Sequence, residues 1–196
     1  MGRPSNRDER YGQVMEAFVR CVARMGLDGA TLSAIAKEAG LTRPLIRHHL
    51  GNRDEMIVAL QDYVLDQFNS AANELVAALP DSDPAHVLVN HLFSDQSDSS
   101  PDLVLAFAAL TARASEDGEL RANCRASILG FEAQVAEVLQ RNYPEAPQMD
   151  TQQAAHGIVA LYFNTASLAA LEMPTEWVNR SKAMAVSLCE NLADPA

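Results

Sequence analysis

Residues 31–50, TLSAIAKEAGLTRPLIRHHL, constrain the fold most, because they encode two short helices joined by a glycine turn. Thr31 can N-cap a helix whose apolar residues Leu32, Ile35, Ala36 and Ala39 recur at helical spacing. Gly40 ends it, since glycine takes the left-handed conformation of a helix C-cap without a Cβ penalty. Thr42 offers a second N-cap, and Pro44 is tolerated in a first turn, where its missing N–H would be unpaired anyway. The second helix has only Ile46 and Leu50 as an apolar pair, four residues apart. At about 100° per residue, Pro44, Leu45, Arg47 and His48 point away from that edge. A short helix moored on one side, with a cationic outward face, is what reading the DNA major groove requires.

The remaining sequence also reads as helices. Val14, Phe18, Cys21, Val22 and Met25 make an amphipathic first helix ended by Gly26 and the Asp28-Gly29 turn. Gly51-Asn52 is another break, and Arg53-Asp54-Glu55 opens a long helix to about Leu79, its acidic residues suiting the positive end of the helix dipole. Further helices are expected over His86–Phe93, Asp102–Ser115, Glu119–Asn142, Thr151–Glu172 and Thr175–Leu192. A turn cluster at Pro80–Pro84, a polar loop from Ser94 to Pro101 and a proline-marked loop from Tyr143 to Asp150 separate them. No strand alternation of useful length, repeat or low-complexity region interrupts this pattern.

The net charge of −11 over 196 residues looks wrong for a polyanion's partner until it is divided by position. Residues 1–55 hold nine basic and seven acidic residues, whereas residues 56–196 hold six basic and 19 acidic. That asymmetry suggests a small nucleic-acid head on an acidic body, which would discourage wrong orientations on DNA. No window approaches 18 uninterrupted apolar residues, so a membrane span is not expected. The N-terminus MGRPSNRDER has no apolar run after its arginines, and a cytoplasmic protein is expected.

Cys21, Cys124 and Cys189 lie far apart among apolar residues and read as buried thiols. Adjacent His48 and His49 point about 100° apart on a helix, and His86 and His91 are five apart, so neither pair suits a shared metal. With no glycine-rich phosphate loop, nucleophile elbow or zinc signature, neither a cofactor nor an enzymatic activity is expected.

Two segments carry a moderately specific pattern: Thr31-x-x-x-Ile35-Ala36-x-x-Ala39-Gly40-Leu41-Thr42, and Leu50-Gly51-Asn52-Arg53-Asp54-Glu55-Met56. Over residues 10–60 the chain resembles the tetracycline-repressor (TetR) family of bacterial regulators, closest to members with a Leu-Ile-Arg-His-His/Tyr segment. Beyond residue 60 the likeness lies only in length and helical layout. Many members have two tyrosines where this chain has Arg47 and His49, so its base preference should differ from theirs. The resemblance implies an all-α fold with an N-terminal three-helix DNA-binding domain containing a helix-turn-helix, over residues 1–55. A helical ligand-binding and dimerisation domain would follow over residues 56–196. It also implies that Thr31, Thr42, His49 and Arg53 lie near phosphates, and that Arg43, Pro44, Leu45, Arg47 and His48 face base edges.

The residues' own chemistry adds detail. Arg43 and Arg47 can donate bidentate hydrogen bonds to guanine O6 and N7, and an outward Leu45 suits a thymine methyl. Arg3 and Arg7, in an N-terminal arm, could enter an adjacent minor groove. A small-molecule effector pocket in the body is expected to draw on Phe107, Leu110, Phe131, Tyr162 and Phe163. His91, Gln134, Asn164 and Glu172 are its candidate polar groups. Ala154, Ala155, Gly157, Ile158, Leu161, Thr165, Leu168 and Ala169 form a small-residue stripe, with Val178, Met184, Val186 and Leu188 nearby. These helices, about 151–172 and 175–192, would pair two copies as a four-helix bundle. The expectation is therefore a homodimeric regulator, a repressor rather than an activator, bound to a palindromic double-stranded DNA operator. A ligand-binding or sequestering protein with a vestigial head is the alternative.

Overall fold

The computed structural model describes residues 6–94 and 101–193, with side chains from residue 9 onward. Among the described residues there are nine α-helices and no strand. They are α1 (Asn6–Gly29), α2 (Leu32–Ala39), α3 (Arg43–Leu50), α4 (Arg53–Ala78), α5 (Pro84–Leu92), α6 (Pro101–Arg113), α7 (Gly118–Asn142), α8 (Gln148–Ser167) and α9 (Thr175–Glu190). The fold class is all-α, as the periodicity predicts. Gly26 does not end α1 outright; at φ 70°, ψ 174° it kinks the helix, which resumes to Gly29. The last expected pair is also shifted. The eighth helix begins at Gln148 and stops at Ser167, and a 3-10 turn, Ala169–Leu171, leads to Glu172 in the left-handed region at φ 50°.

The chain divides into two compact units. The first comprises Met1–Gln67 with Asp102–Cys124; the second comprises Phe68–Pro101 with Arg125–Ala196. In the first, α1 packs on α2 and α3. Val14, Phe18, Cys21, Ile35, Ile46 and Leu60 are wholly buried there, burial being the main favourable contribution to such a small core. Polar contacts fix the α1–α2 pairing: Gln13 Nε2 donates to the Ala39 carbonyl at 3.0 Å, and Arg20 Nε donates to Glu38 Oε1 at 2.9 Å. Arg24 donates to the other oxygen of the same carboxylate. These contacts hold the Glu38 carboxyl below its ordinary range, through the Arg24 hydrogen bond first and the Arg20 one second.

In the second unit, α9 packs on α8 and α5 around a core that includes Leu88, Val135, Leu139, Ile158 and Ala185. Gln140 Nε2 donates to the carbonyls of Tyr143, Pro144 and Ala146, and Thr151 Oγ1 donates to Gln140 Oε1, which together brace the α7–α8 loop. The small-residue stripe is not outward as a whole. Ala154, Ala155 and Ile158 are buried in this core, and a Cβ on Gly157 would come within 2.7 Å of Leu188 Cδ1. The close approach that small residues permit is thus used, at least there, between α8 and α9 of one chain. Exposed on these helices instead are Gln153, His156, Ala160, Asn164, Arg180 and Met184.

Candidate nucleic-acid interface

Local chemistry shapes the two short helices. Thr31 has extended backbone (φ −79°, ψ 160°), and its Oγ1 accepts from Ala34 N at 3.2 Å, closing the N-terminus of α2. Gly40 closes the other end at φ 64°, ψ 30°, so the chain can turn into α3. Thr42 occupies the N-cap position but its hydroxyl makes no capping bond. The reason is covalent: Pro44, second in α3, has no N–H to give, and Leu45 N is already bonded to the Thr42 carbonyl at 3.0 Å.

Within α3 the anchoring and outward faces separate cleanly. Ile46 is 0% and Leu50 2% exposed, while Arg43, Pro44, Arg47 and His48 are exposed. Leu45 is half-buried rather than fully outward, because its position borders the Ile46 edge; His49 is half-buried too. The rings of His48 and His49 meet edge-on, with centroids 5.6 Å apart. A cationic strip therefore lies along a helix whose opposite side is sealed.

The junction to α4 is a reciprocal capping box. Asn52 Oδ1 accepts from Asp54 N and Glu55 N at 3.0 and 3.1 Å, and Asn52 N donates to Glu55 Oε2 at 2.7 Å. Gly51 is required beside it: at φ 68° it lies in the left-handed region, and a Cβ there would come 2.0 Å from Glu55 Oε2.

Arg53 has a role that sequence reasoning missed. Its guanidinium donates to the Ala30 carbonyl at 3.0 Å and to the Leu27 carbonyl, with Asp28 at 4.0 Å. It therefore ties the first residue of α4 to the turn that carries Thr31. Thr31, Arg43 and Arg53 also line one recess of about 230 Å³, together with Ser33, which no sequence signal singles out. The unbonded N–H groups of the first turn of α2 and these cations suit a phosphate oxygen. Thr42, His49 and the other base-facing candidates, Pro44, Leu45, Arg47 and His48, are not part of that recess. Arg3 lies outside the described residues, as does the side chain of Arg7.

A family model described as bacterial regulatory proteins, tetR family, matches residues 14–60, which span α2, α3 and their junction to α4. Those residues carry the DNA-binding region of the TetR family. The chain is a DNA-binding transcriptional regulator. The BetI transcriptional regulator of Burkholderia mallei is 25% identical over 157 residues, covering 79% of this chain and 78% of that one. BetI of Burkholderia ambifaria is 26% identical over 167 residues, covering 82% of each chain. In fold, the chain is similar to a TetR-family regulator from Cytophaga hutchinsonii, with TM-score 0.73, 16% identity, and 97% and 98% of the two chains covered. A TetR regulator from Haloarcula marismortui matches with TM-score 0.72 and 16% identity, over 93% and 97%.

The ligand-site candidates do not form one cluster. Phe107 and Leu110 are buried in α6, within the first unit. In the second unit, Phe131 and Tyr162 meet edge-on at 6.2 Å, and Tyr162 and Phe163 lie 5.6 Å apart. Phe163 also stacks on Phe68 at 5.7 Å. Gln134 Nε2 donates to Asn73 Oδ1 at 2.6 Å, leaving its buried Oε1 without a partner. His91 is half-buried on α5, and Asn164 is exposed. Of these candidates only Tyr162 and Glu172 reach a cavity of about 320 Å³, which is completed by residues the sequence did not single out, Phe93 and Trp177 among them. The single tryptophan of the chain, just after Pro174, was the available signal for it. No group of three metal-ligating side chains occurs among the described residues, and none of their helices is long and apolar enough to cross a membrane.

Proposed function

We propose that this TetR-family regulator acts in the cytoplasm as a homodimeric repressor, held on a palindromic operator and released when a small molecule binds its helical body. One observation supports this reading above the others: α3 buries Ile46 and Leu50 while exposing Arg43, Pro44, Arg47 and His48 along one side. In this reading Arg43 and Arg47 contact guanine edges, Pro44, Leu45 and His48 line the same groove, and Thr31, Thr42, His49 and Arg53 lie at the phosphates. Arg3 would add a minor-groove contact. Residues 1–55 serve as the DNA-binding segment and residues 56–196 as the effector and dimer segment. The reading involves no catalytic step and no cofactor.

A head this small neutralises few phosphates, so useful affinity requires two heads on one duplex, at half-sites about one helical turn apart. The exposed face of α8 and α9, with Ala160 and Met184 near its middle, is the proposed seam. Release requires only that the effector bind one head separation better than the other. Helices α4 and α7 each contribute residues to both compact units and are the covalent routes for that coupling.

Fluorescence anisotropy with the gene's own upstream DNA tests the reading. Arg47→Ala should lose about 1–3 kcal/mol of discrimination, roughly 5- to 150-fold, at one base pair of each half-site while keeping non-specific binding. Equal weakening on every sequence would remove Arg47 from base reading. Failure of the intact protein to prefer any upstream sequence would favour the sequestering alternative.

A further inference from the structure

The cavity of about 320 Å³ lies wholly within the second unit and has an unusual chemical make-up. Phe93, Tyr162 and Trp177 supply aromatic surface, Met173 adds a thioether, and Glu172 is the one charged residue in the lining. Its volume is at the small end of the range for ligand sites, which suits a compact molecule. Two polar features are left over within it. The Thr165 hydroxyl oxygen is buried and makes no hydrogen bond. Glu172 sits at φ 50°, where glycine or asparagine would be less strained, so backbone preference does not account for a carboxylate at this position.

We propose that this cavity takes a protonated primary or secondary amine carrying an aromatic or alkyl body. The inference rests on the ligand-responsive reading above and names the chemistry of its effector. The ammonium donates one hydrogen to the Glu172 carboxylate and another to Thr165 Oγ1, while the apolar body lies among Phe93, Tyr162 and Trp177. Tryptophan is the best aromatic partner for a cation, and partial removal of the ammonium from water strengthens that attraction. The wider field acts in the same direction: the sequence of the second unit holds thirteen acidic residues against four basic ones, so an anion would enter against the potential. A quaternary ammonium, with no N–H to donate, would leave the Thr165 oxygen unpaired. A neutral body would leave Glu172 unpaired.

Trp177 is the only tryptophan in the chain, so its fluorescence reports occupancy of this cavity directly. The full-length protein is titrated at neutral pH with 2-phenylethylammonium, with its uncharged counterpart 2-phenylethanol and with the anion 3-phenylpropanoate. Saturable change is expected for the ammonium at concentrations at least tenfold below those for the alcohol, and none for the carboxylate. Glu172→Gln should raise the ammonium midpoint at least tenfold, to the level of the alcohol, whereas Glu176→Gln should leave it unchanged. Thr165→Val should weaken the ammonium and not the alcohol, and serves as the test should Glu172→Gln fail to fold. Equal binding of the three probes, or indifference to both substitutions, overturns the amine assignment, as does the absence of any saturable change. Labelled operator DNA in the same cuvette separates the two readings. Ammonium binding at Trp177 without any change in DNA affinity upholds the cavity and sinks the ligand-responsive reading. DNA release without a Trp177 response places the effector elsewhere and sinks this inference alone.

Discussion

Arg53→Ala is expected to destabilise the first unit even when no DNA is present. The magnitude follows from its contacts: the guanidinium donates to the carbonyls of Leu27 and Ala30, across the turn between α1 and α2. Hydrogen bonds from a charged donor contribute about 1.5–3 kcal/mol each in a buried setting. Here the side chain is 42% exposed, so water replaces part of what is lost. About 1–2 kcal/mol for the pair is a reasonable expectation. Asp28, fully exposed at 4.0 Å, adds little. For a chain of this size each kcal/mol moves Tm by roughly 2–4 °C, giving a fall of about 2–8 °C. Arg53→Lys makes the decisive comparison, because one ammonium on a flexible stem cannot span two carbonyls and should fall nearly as far. Thermal melting of the three proteins, with DNA absent, is the assay. An Arg53→Ala melting point within about 1 °C of the parent's would refute the strut, and parent-like behaviour of Arg53→Lys would reduce the residue to a charge. Titration with operator DNA at several salt concentrations isolates any phosphate contact. Such a contact would lower the log–log slope by about 0.9 in the alanine variant and leave it intact in the lysine variant.

Ile46→Ala, at a fully buried site, should cost about 2–5 kcal/mol in urea denaturation and abolish operator binding, whereas Arg47→Ala should keep the parent midpoint. Acid stability should depend on Glu38, whose folded carboxyl titrates below the ordinary value of 4.5. The unfolded chain binds that proton first as pH falls, so stability is present above about pH 4.5 and is lost through the window beneath it. Glu38→Gln should flatten that part of a plot of urea midpoint against pH, and an unchanged slope would contradict the assignment. Burial pushes the Cys189 thiol up to about 12, with Asp83 and Glu190 adding to the rise, and burial also raises Cys21 and Cys124. Ellman's reagent at pH 8 should therefore label the native protein far more slowly than the protein in urea. Rapid labelling of one thiol in the native state would show that its burial is not maintained in solution.

The caps and anchors were legible because their causes are local. The Thr31 bond to Ala34 spans three residues, and the Ile46–Leu50 pair spans four. Spacing and side-chain chemistry are enough to specify such contacts. Thr42 shows the limit even at short range: its cap is cancelled by a proline two residues on that was itself read correctly as helix-compatible. Arg53 was opaque for a different reason. Its carbonyl partners lie 23 and 26 residues earlier, and a cation at a helix start looks identical in sequence whether it faces solvent, phosphate or backbone. The stripe on α8 illustrates the same gap, since small residues allow a close neighbour without saying whether it is the chain's own α9 or a second copy. Phe107 and Phe131 likewise read as partners in one effector pocket, because nothing in the sequence signals that they belong to different compact units.

The division of labour within α3 bears on how such a protein changes over generations. Stability is invested at positions 46 and 50, which sit at 0% and 2% exposure, while positions 43, 44, 47 and 48 are free to vary as far as folding is concerned. Mutational drift along that strip leaves the scaffold intact, so a duplicate copy can be retargeted to new promoters by a few substitutions before selection has to repair anything else.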